Sequence, residues 1–346
     1  MGKKPLDPAK FFRKAEYILL ITIPFFLYFF YHENNRQNDT SEYADTKVIS
    51  LPDELAVVFD EKVFFLMEKM ISEAKRTISI STYTIRNNRI MKMLEKKNDQ
   101  GVRVKLAYGK SKDGYRPSFS LGKVAKKYGI FHSKFIVTDS KNVLITSANL
   151  GSGSNAVNNA VFFKNAPKAS EILEKEVSDA VSGKLPRRCS KGCETEIGKI
   201  FFTPGKACVN IKAAFLKAEK KIEGSIYTVT IRNPIVTGLK NVLKKKEVPV
   251  KLITDNWKGD GNRIVNKKAV DYFRSLGAQV KYDNMVLKKD LLFHHKFAVI
   301  DEKITVFGSL NWTSSGCYRN REIVVISKDE KIAVKFSEYF ATIWKD

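Results

Sequence analysis

Histidine, cysteine and acidic side chains are all scarce here: 346 residues hold four His, four Cys and 37 Asp plus Glu against 61 Lys plus Arg. Cys189, Cys193, Cys208 and Cys317 allow at most two disulfides. Cys189 and Cys193 frame Ser-Lys-Gly, but no further Cys or His pair completes a zinc pattern, so no metal site is expected. The shortage of carboxylates leaves a net charge of +24. Lysine bias contributes to it, and a field of that sign attracts phosphate-bearing partners, nucleic acid or an anionic bilayer surface, without choosing between them. The uncharged run from Tyr17 to Tyr31 is shorter than the roughly 20 residues of a comfortable membrane span. What remains is an ordinary folded composition, 43% hydrophobic and 28% charged, long enough for one large domain or two of usual size.

Two of the four histidines head copies of one device. His132-Ser-Lys134 with Asp139 and His294-His-Lys296 with Asp301 both read His-x-Lys, four residues, then Asp, each with Phe just before the His. Both copies are aromatic and β-branched, so they read as strands, and a period of two puts His and Lys on one face. His295 then points to the opposite face and is left out of the site. An echo follows each copy at the same distance: Thr146-Ser147-Ala148-Asn149 and Gly308-Ser309-Leu310-Asn311.

With these residues the sequence resembles the phospholipase D superfamily, whose mark is a doubled HxKxxxxD followed by GSxN. The resemblance covers most of the chain beyond about residue 55 and implies an α/β fold. The expected form is a duplicated domain, two mixed β-sheets flanked by helices, with the active site at the pseudo-twofold interface. It also implies that Asp139 and Asp301 orient and tune the histidines, and that Ser147, Asn149, Ser309 and Asn311 complete the hydrogen bonding around a phosphate. The first histidine, His132, is implied as nucleophile and His294 as acid. Two departures stand in the first copy: Thr146 replaces Gly, and aligning Asn158-Asn-Ala-Val with Asn320-Arg-Glu-Ile sets Ala160 opposite Glu322.

Along the chain, residues 1–31 combine a basic start (Lys3, Lys4, Lys10, Arg13, Lys14) with the apolar run, which ends in Tyr28, Phe29, Phe30 and Tyr31. A cleaved signal wants small residues there, whereas aromatics suit a membrane interface; an uncleaved anchor is favoured over a signal. Positive charge before the run places the rest outside the cytoplasm, secreted if the segment is cleaved. Residues 32–54 read as a polar tether, with Asn38-Asp-Thr40 a glycosylation acceptor.

Residues 55–185 and 192–346 then form two repeats. Val63, Leu66, Met67, Met70, Ile71 and Ala74 make a helical stripe matched by Cys208, Ile211, Phe215 and Ala218. Strands closing in Thr84-Ile-Arg-Asn87 and Thr230-Ile-Arg-Asn233 follow. After a second helix come Val104-Lys-Leu106 and Val250-Lys-Leu252. The second repeat carries extra residues before its histidine, including Asn256 to Asn262 and a helix over Val265–Leu276; the first has only Gly109 to Tyr128 there, with Arg116 and Pro117. A linker falls near Ser182–Lys191, and a terminal helix spans Lys331–Trp344. If the domain is exported, a disulfide among the first three cysteines staples the segment between repeats; the alternative is free thiols.

Phosphodiester cleavage needs a nucleophile, an acid for the leaving oxygen and positive charge at the phosphoryl oxygens. His132, His294, Lys134 and Lys296 supply these without metal or other cofactor. The substrate expected first is a phospholipid of the bilayer, with headgroup hydrolysis or transfer. A nuclease acting on DNA or RNA is the alternative, hinted at by Tyr227, Arg232, Trp257 and Arg263, and a non-catalytic binding protein ranks third. Since both motifs occur in one chain, a monomer can hold a complete site.

Overall fold

The computed structural model describes residues 51–346 except 53, 86–88, 112–118, 125–128, 151–155, 185–187, 246, 259–263, 284–290 and 346. The basic start, the apolar run, most of the tether and Asn38 lie outside the described residues, as do Arg86, Asn87, Arg116, Pro117 and Arg263. Among the described residues, no helix is long and apolar enough to cross a membrane.

The first half contains β1 (Leu55–Phe59), α1 (Glu61–Glu73), β2 (Thr77–Ile85), α2 (Arg89–Asp99), β3 (Arg103–Ser111) and β4 (Ser120–Lys123). It continues with β5 (Phe135–Thr138), β6 (Asn142–Thr146), β7 (Ala156–Val157), β8 (Asn159–Phe163) and α3 (Pro167–Val181). The second half contains β9 (Cys193–Thr195), β10 (Gly198–Phe202), α4 (Ala207–Phe215), β11 (Ile222–Ile226), α5 (Pro234–Lys245) and β12 (Val250–Thr254). It closes with α6 (Lys267–Ser275), β13 (Gln279–Tyr282), β14 (Leu292–Phe293), β15 (Lys296–Ile300), β16 (Ile304–Gly308), α7 (Ser314–Tyr318), β17 (Ile323–Ser327) and α8 (Glu330–Lys345).

Each half builds one mixed sheet. The first runs β1-β8-β6-β5-β2-β3-β4 and the second β13-β12-β11-β15-β16-β17-β10-β9. In β2 the sequence Ile-Ser-Ile-Ser-Thr-Tyr alternates, so Ile78 and Ile80 enter a core with α1 and α2, while Ser79, Ser81 and Tyr83 share the other face. The stripe Val63, Leu66, Met67, Met70 and Ile71 of α1 is buried as its spacing requires. Another cluster joins the halves: Phe135, Val177 and Leu173 meet Phe297, Phe307, Phe336 and Phe340 in one core.

The halves also exchange strands. β14 pairs in parallel with β7, and the twin contact is a parallel bridge between Phe131 and Arg321. Arg321, 7% exposed, holds its place through a two-pronged ion pair with the fully buried Glu176 of α3, at 2.6 and 2.7 Å. The cysteines form Cys189–Cys193 and Cys208–Cys317. A staple between repeats is therefore present as a small loop that encloses Ser190, Lys191 and Gly192, and the other bond ties α4 to α7. In the second half Thr230–Asn233 lies beyond β11, which ends at Ile226, whereas Thr84 still pairs with Lys110 inside β2.

Candidate active site

Each histidine sits just before its strand and is threaded onto the other half. His132 N–H donates to Arg321 O at 2.8 Å, and His294 N–H donates to Val157 O at 2.9 Å. The period of two then brings Lys beside His. Lys134 Nζ donates to His132 O at 2.7 Å and Lys296 Nζ to His294 O at 2.9 Å. All four side chains are buried.

The imidazoles are also held across the interface. His132 Nδ1 lies 2.6 Å from Glu322 Oε2, and His294 Nδ1 lies 3.0 Å from Asn158 Oδ1. Ser309 Oγ donates to the same Glu322 oxygen at 2.7 Å, and Ser147 Oγ donates to Asn158 Oδ1 at 3.0 Å. Asn158 Nδ2 donates to Ala156 O, so Oδ1 faces the imidazole and His294 Nδ1 carries the proton. Both Nδ1 atoms are thus occupied, and both Nε2 atoms are left for chemistry.

This geometry corrects the alignment of the first copy. Thr146 pairs with Ala160 as Gly308 pairs with Val324, and Ser147 N–H bonds Asn159 O as Ser309 N–H bonds Ile323 O. Glu322 therefore corresponds to Asn158, not Ala160: the first half supplies a neutral amide where the second supplies a carboxylate. The Thr146 departure is benign. A Cβ on Gly308 would lie 2.2 Å from Ile323 O, whereas Thr146 Oγ1 donates to the equivalent oxygen, Asn159 O, at 3.0 Å.

Asp139 and Asp301 do not touch the histidines. They lie at the far ends of β5 and β15, in three-residue connections (139–141 and 301–303) where Asp139 and Ser140 (φ 55° and 57°) and Asp301 and Glu302 (both 55°) are left-handed. The Asp139 carboxylate accepts N–H bonds from Lys75, Arg76 and Thr77, and that of Asp301 from Glu219, Lys220 and Lys221. Their work is to fasten the loop before β2 or β11 to the hairpin. His295 is away from the site as expected, bonded through Nε2 to Tyr339 Oη at 2.9 Å. Asn149 and Asn311 each bury an Oδ1 that has no hydrogen-bond partner among the described residues.

Electrostatics follow from burial. His132 is lowered to about 4 by desolvation, against the pull of Glu322. His294 falls well below the usual histidine value through desolvation and then Lys296, Lys134 and His132. Burial brings Lys134 down to about 7, and desolvation followed by Lys134 brings Lys296 well below an ordinary lysine. For Glu322, burial raises the carboxyl but His132 and Lys134 outweigh it, so it stays ionised. Burial thus leaves the site poor in protons, and an anion would favour the charged forms of these groups.

Three more groups were not singled out in the sequence as part of the site. The Tyr83 and Tyr227 rings stand 5.3 and 5.0 Å from those of His132 and His294. Their signal is the repeat Ser81-Thr-Tyr-Thr84 and Ser225-Ile-Tyr-Thr228. Asp255, 1% exposed, accepts Phe293 N–H at 2.9 Å and so fixes the strand entering His294; burial raises it to about 6. Gly109 takes that place in the first half, where a Cβ would lie 2.6 Å from Phe131 O. Among the described residues, no group of three or more His, Cys, Asp or Glu is arranged to hold a metal ion.

Comparison with known proteins gives a consistent picture. The family model described as "Cardiolipin synthase, PLD-like domain" matches residues 67–180 and 211–344. Mitochondrial cardiolipin hydrolase of Canis lupus familiaris is 29% identical over 187 residues, covering 54% of this chain and 66% of that protein. The Mus musculus protein of the same name is 32% identical over 134 residues, covering 38% and 56%. The chain thus spans between about half and two thirds of these relatives' length. Among solved structures, phosphatidylserine synthase of Haemophilus influenzae shares the fold at 10% identity, with a TM-score of 0.67 over 86% of this chain and 88% of that one.

Proposed function

This chain belongs to the phospholipase D superfamily, in its family of cardiolipin synthase PLD-like domains, and on that premise we propose that it cleaves or transfers phospholipid headgroups through a phosphohistidine. The observation that carries the reading is the crossed pair of holders, Glu322 on His132 and Asn158 on His294, which occupies both Nδ1 atoms and leaves the Nε2 atoms for the phosphorus and the leaving oxygen.

His132 is the nucleophile. Burial keeps it neutral, with its Nδ1–H directed at Glu322. Its Nε2 attacks phosphorus, the P–O bond to the leaving alcohol breaks, and the resulting phospho-imidazolium is cationic. Glu322 is the carboxylate placed to stabilise that cation. His294, protonated as the anionic substrate enters, gives its Nε2 proton to the leaving oxygen. A water or alcohol then returns a proton to His294 Nε2 while its oxygen bonds phosphorus and the P–Nε2 bond breaks. Lys134 and Lys296 stabilise the non-bridging oxygens.

The N-terminal apolar run is proposed to anchor the chain with residues 51–346 outside the cytoplasm. Two disulfides fit an oxidising compartment. The relatives named for cardiolipin point to a bilayer phosphodiester as first substrate to try.

The test offers the full chain in detergent cardiolipin, phosphatidylcholine and labelled single-stranded DNA in parallel. Headgroup release is expected, abolished by His132→Ala or His294→Ala and retained by the folded fraction of His295→Asn. Cleavage of DNA alone would replace the lipid reading by a nuclease.

A further inference from the structure

Ile226 of β11 pairs with Lys296 at the start of β15, and β12 runs parallel to β11, so one edge of the second sheet gathers several loops. These are the loops after β11, after β12 and after β16, together with His294. Three of them are bonded to one another. Trp312 N–H donates to Thr228 O and Thr230 N–H to Trp312 O, both at 3.0 Å, and Val265 N–H donates to Trp257 O at 3.1 Å. Asn266 bonds Val229 N–H, Tyr227 O and Asp255 O. α7 lies against the approach to His132, since a Cβ on Gly129 would be 2.2 Å from Arg319 O.

Apolar side chains stand out from this edge. Of the seven large hydrophobics exposed among the described residues, four are here: Ile231 (41%), Trp257 (48%), Val265 (40%) and Tyr318 (58%). Between them Arg232, Lys258, Lys267, Lys268 and Arg319 are exposed, with Lys267 shared by Asp271. Residues 227–233, 256–258, 264–268 and 311–321 contain no Asp or Glu. The opposite edge of this sheet is different, for there the β15–β16 turn carries Asp301 and Glu302.

We propose that this edge is a bilayer-docking face, which seats the mouth of the site on an anionic membrane with Trp257, Ile231, Val265 and Tyr318 at the headgroup level and the cations on lipid phosphates. The proposal rests on the phospholipid reading of the site. Amphipathic aromatics beside aliphatics, flanked by Lys and Arg, match the interfacial region of a bilayer. Ile231 and Val265 favour lipid over a nucleic-acid strand, because neither can stack on a base or bond a phosphate. The same cations would also hold phosphate oxygens of a strand, which the test separates.

The full chain is reconstituted in vesicles containing cardiolipin, with brominated acyl chains as quencher of tryptophan fluorescence. Of the three tryptophans Trp312 is buried, and Trp344 is half-buried, stacked on Phe340 and covered by Lys251 and Lys281, so quenching is expected in wild type and largely lost in Trp257→Phe. Ile231→Ser with Tyr318→Ser should slow vesicle hydrolysis tenfold or more while turnover of a water-soluble short-chain phosphodiester stays within twofold. Absent quenching, equal loss on both substrates, or protection of Trp257 by single-stranded DNA and not by lipid would overturn the docking face. Quenching by lipid without lipid cleavage would keep the face and remove the phospholipid reading of the site.

Discussion

Replacing Glu322 by Gln isolates what the carboxylate contributes, because size and reach barely change. In the native protein Oε2 takes His132 Nδ1 at 2.6 Å and Ser309 Oγ at 2.7 Å, and Oε1 takes Asn320 Nδ2 at 3.0 Å. Gln has one acceptor oxygen for these donors, and its amide must face either Asn320 or the His132–Ser309 pair. A hydrogen bond to a charged group contributes about 1.5–3 kcal/mol. If that contribution is made to the phospho-imidazolium, its loss lowers kcat by about 10- to 150-fold. Substrate still meets Lys134 and Lys296, so KM should stay within about threefold. The assay is steady-state turnover of a soluble phosphodiester, corrected for folded fraction by thermal melting. A Glu322→Gln enzyme within threefold of wild-type kcat, beside an inactive His132→Ala, would refute charge support at that histidine.

Anion binding should take up protons. Burial holds His294 well below the usual value and Lys134 at about 7, and a bound phosphate raises both; titration of inorganic phosphate at pH 7.5 in two buffers of different ionisation enthalpy should show net uptake, and affinity should rise as pH falls from 8 to 6. Asp301→Ala should lower the melting temperature, at a cost of about 1–2 kcal/mol typical of a lost capping carboxylate, with kcat unchanged within twofold. Since burial raises the Asp301 carboxyl but the Lys221, Glu219 and Lys220 amides lower it overall, the difference from wild type should be full above the unfolded value near 3.8 and be lost as pH falls from there through the lowered folded value.

How much of this could be seen in the sequence depended on range. The doubled His-x-Lys was visible because strand alternation is local: period two alone placed Lys134 with His132 and turned His295 away. The helical stripe of α1 and the helix α8 were visible for the same reason. Asp139 and Asp301 illustrate the limit. Seven residues after its His, each falls past the strand end, and strand alternation alone already set it off the histidine's face; its partners, the amides before β2 and β11, are some 60–80 residues away. Asn158 was missed by two positions, because β6–β8 and β16–β17 pairing decides that register and short stretches of like residues do not. The match of Thr84–Asn87 to Thr230–Asn233 misled similarly. Ser81 pairs with Phe135 as Ser225 pairs with Phe297, so β2 and β11 align through their tyrosines, and the second copy of Thr-Ile-Arg-Asn stands two residues further on.

The crossed holders carry a further consequence for how such a site can change. Were the halves separate identical subunits, one gene would dictate both holders, and any substitution would strike the two histidines at once. Joined in a single polypeptide, the copies are released from that identity. One histidine can keep its carboxylate while the other acquires an amide, so that nucleophile and acid become inherited roles fixed by position rather than assigned afresh by whichever way the substrate enters.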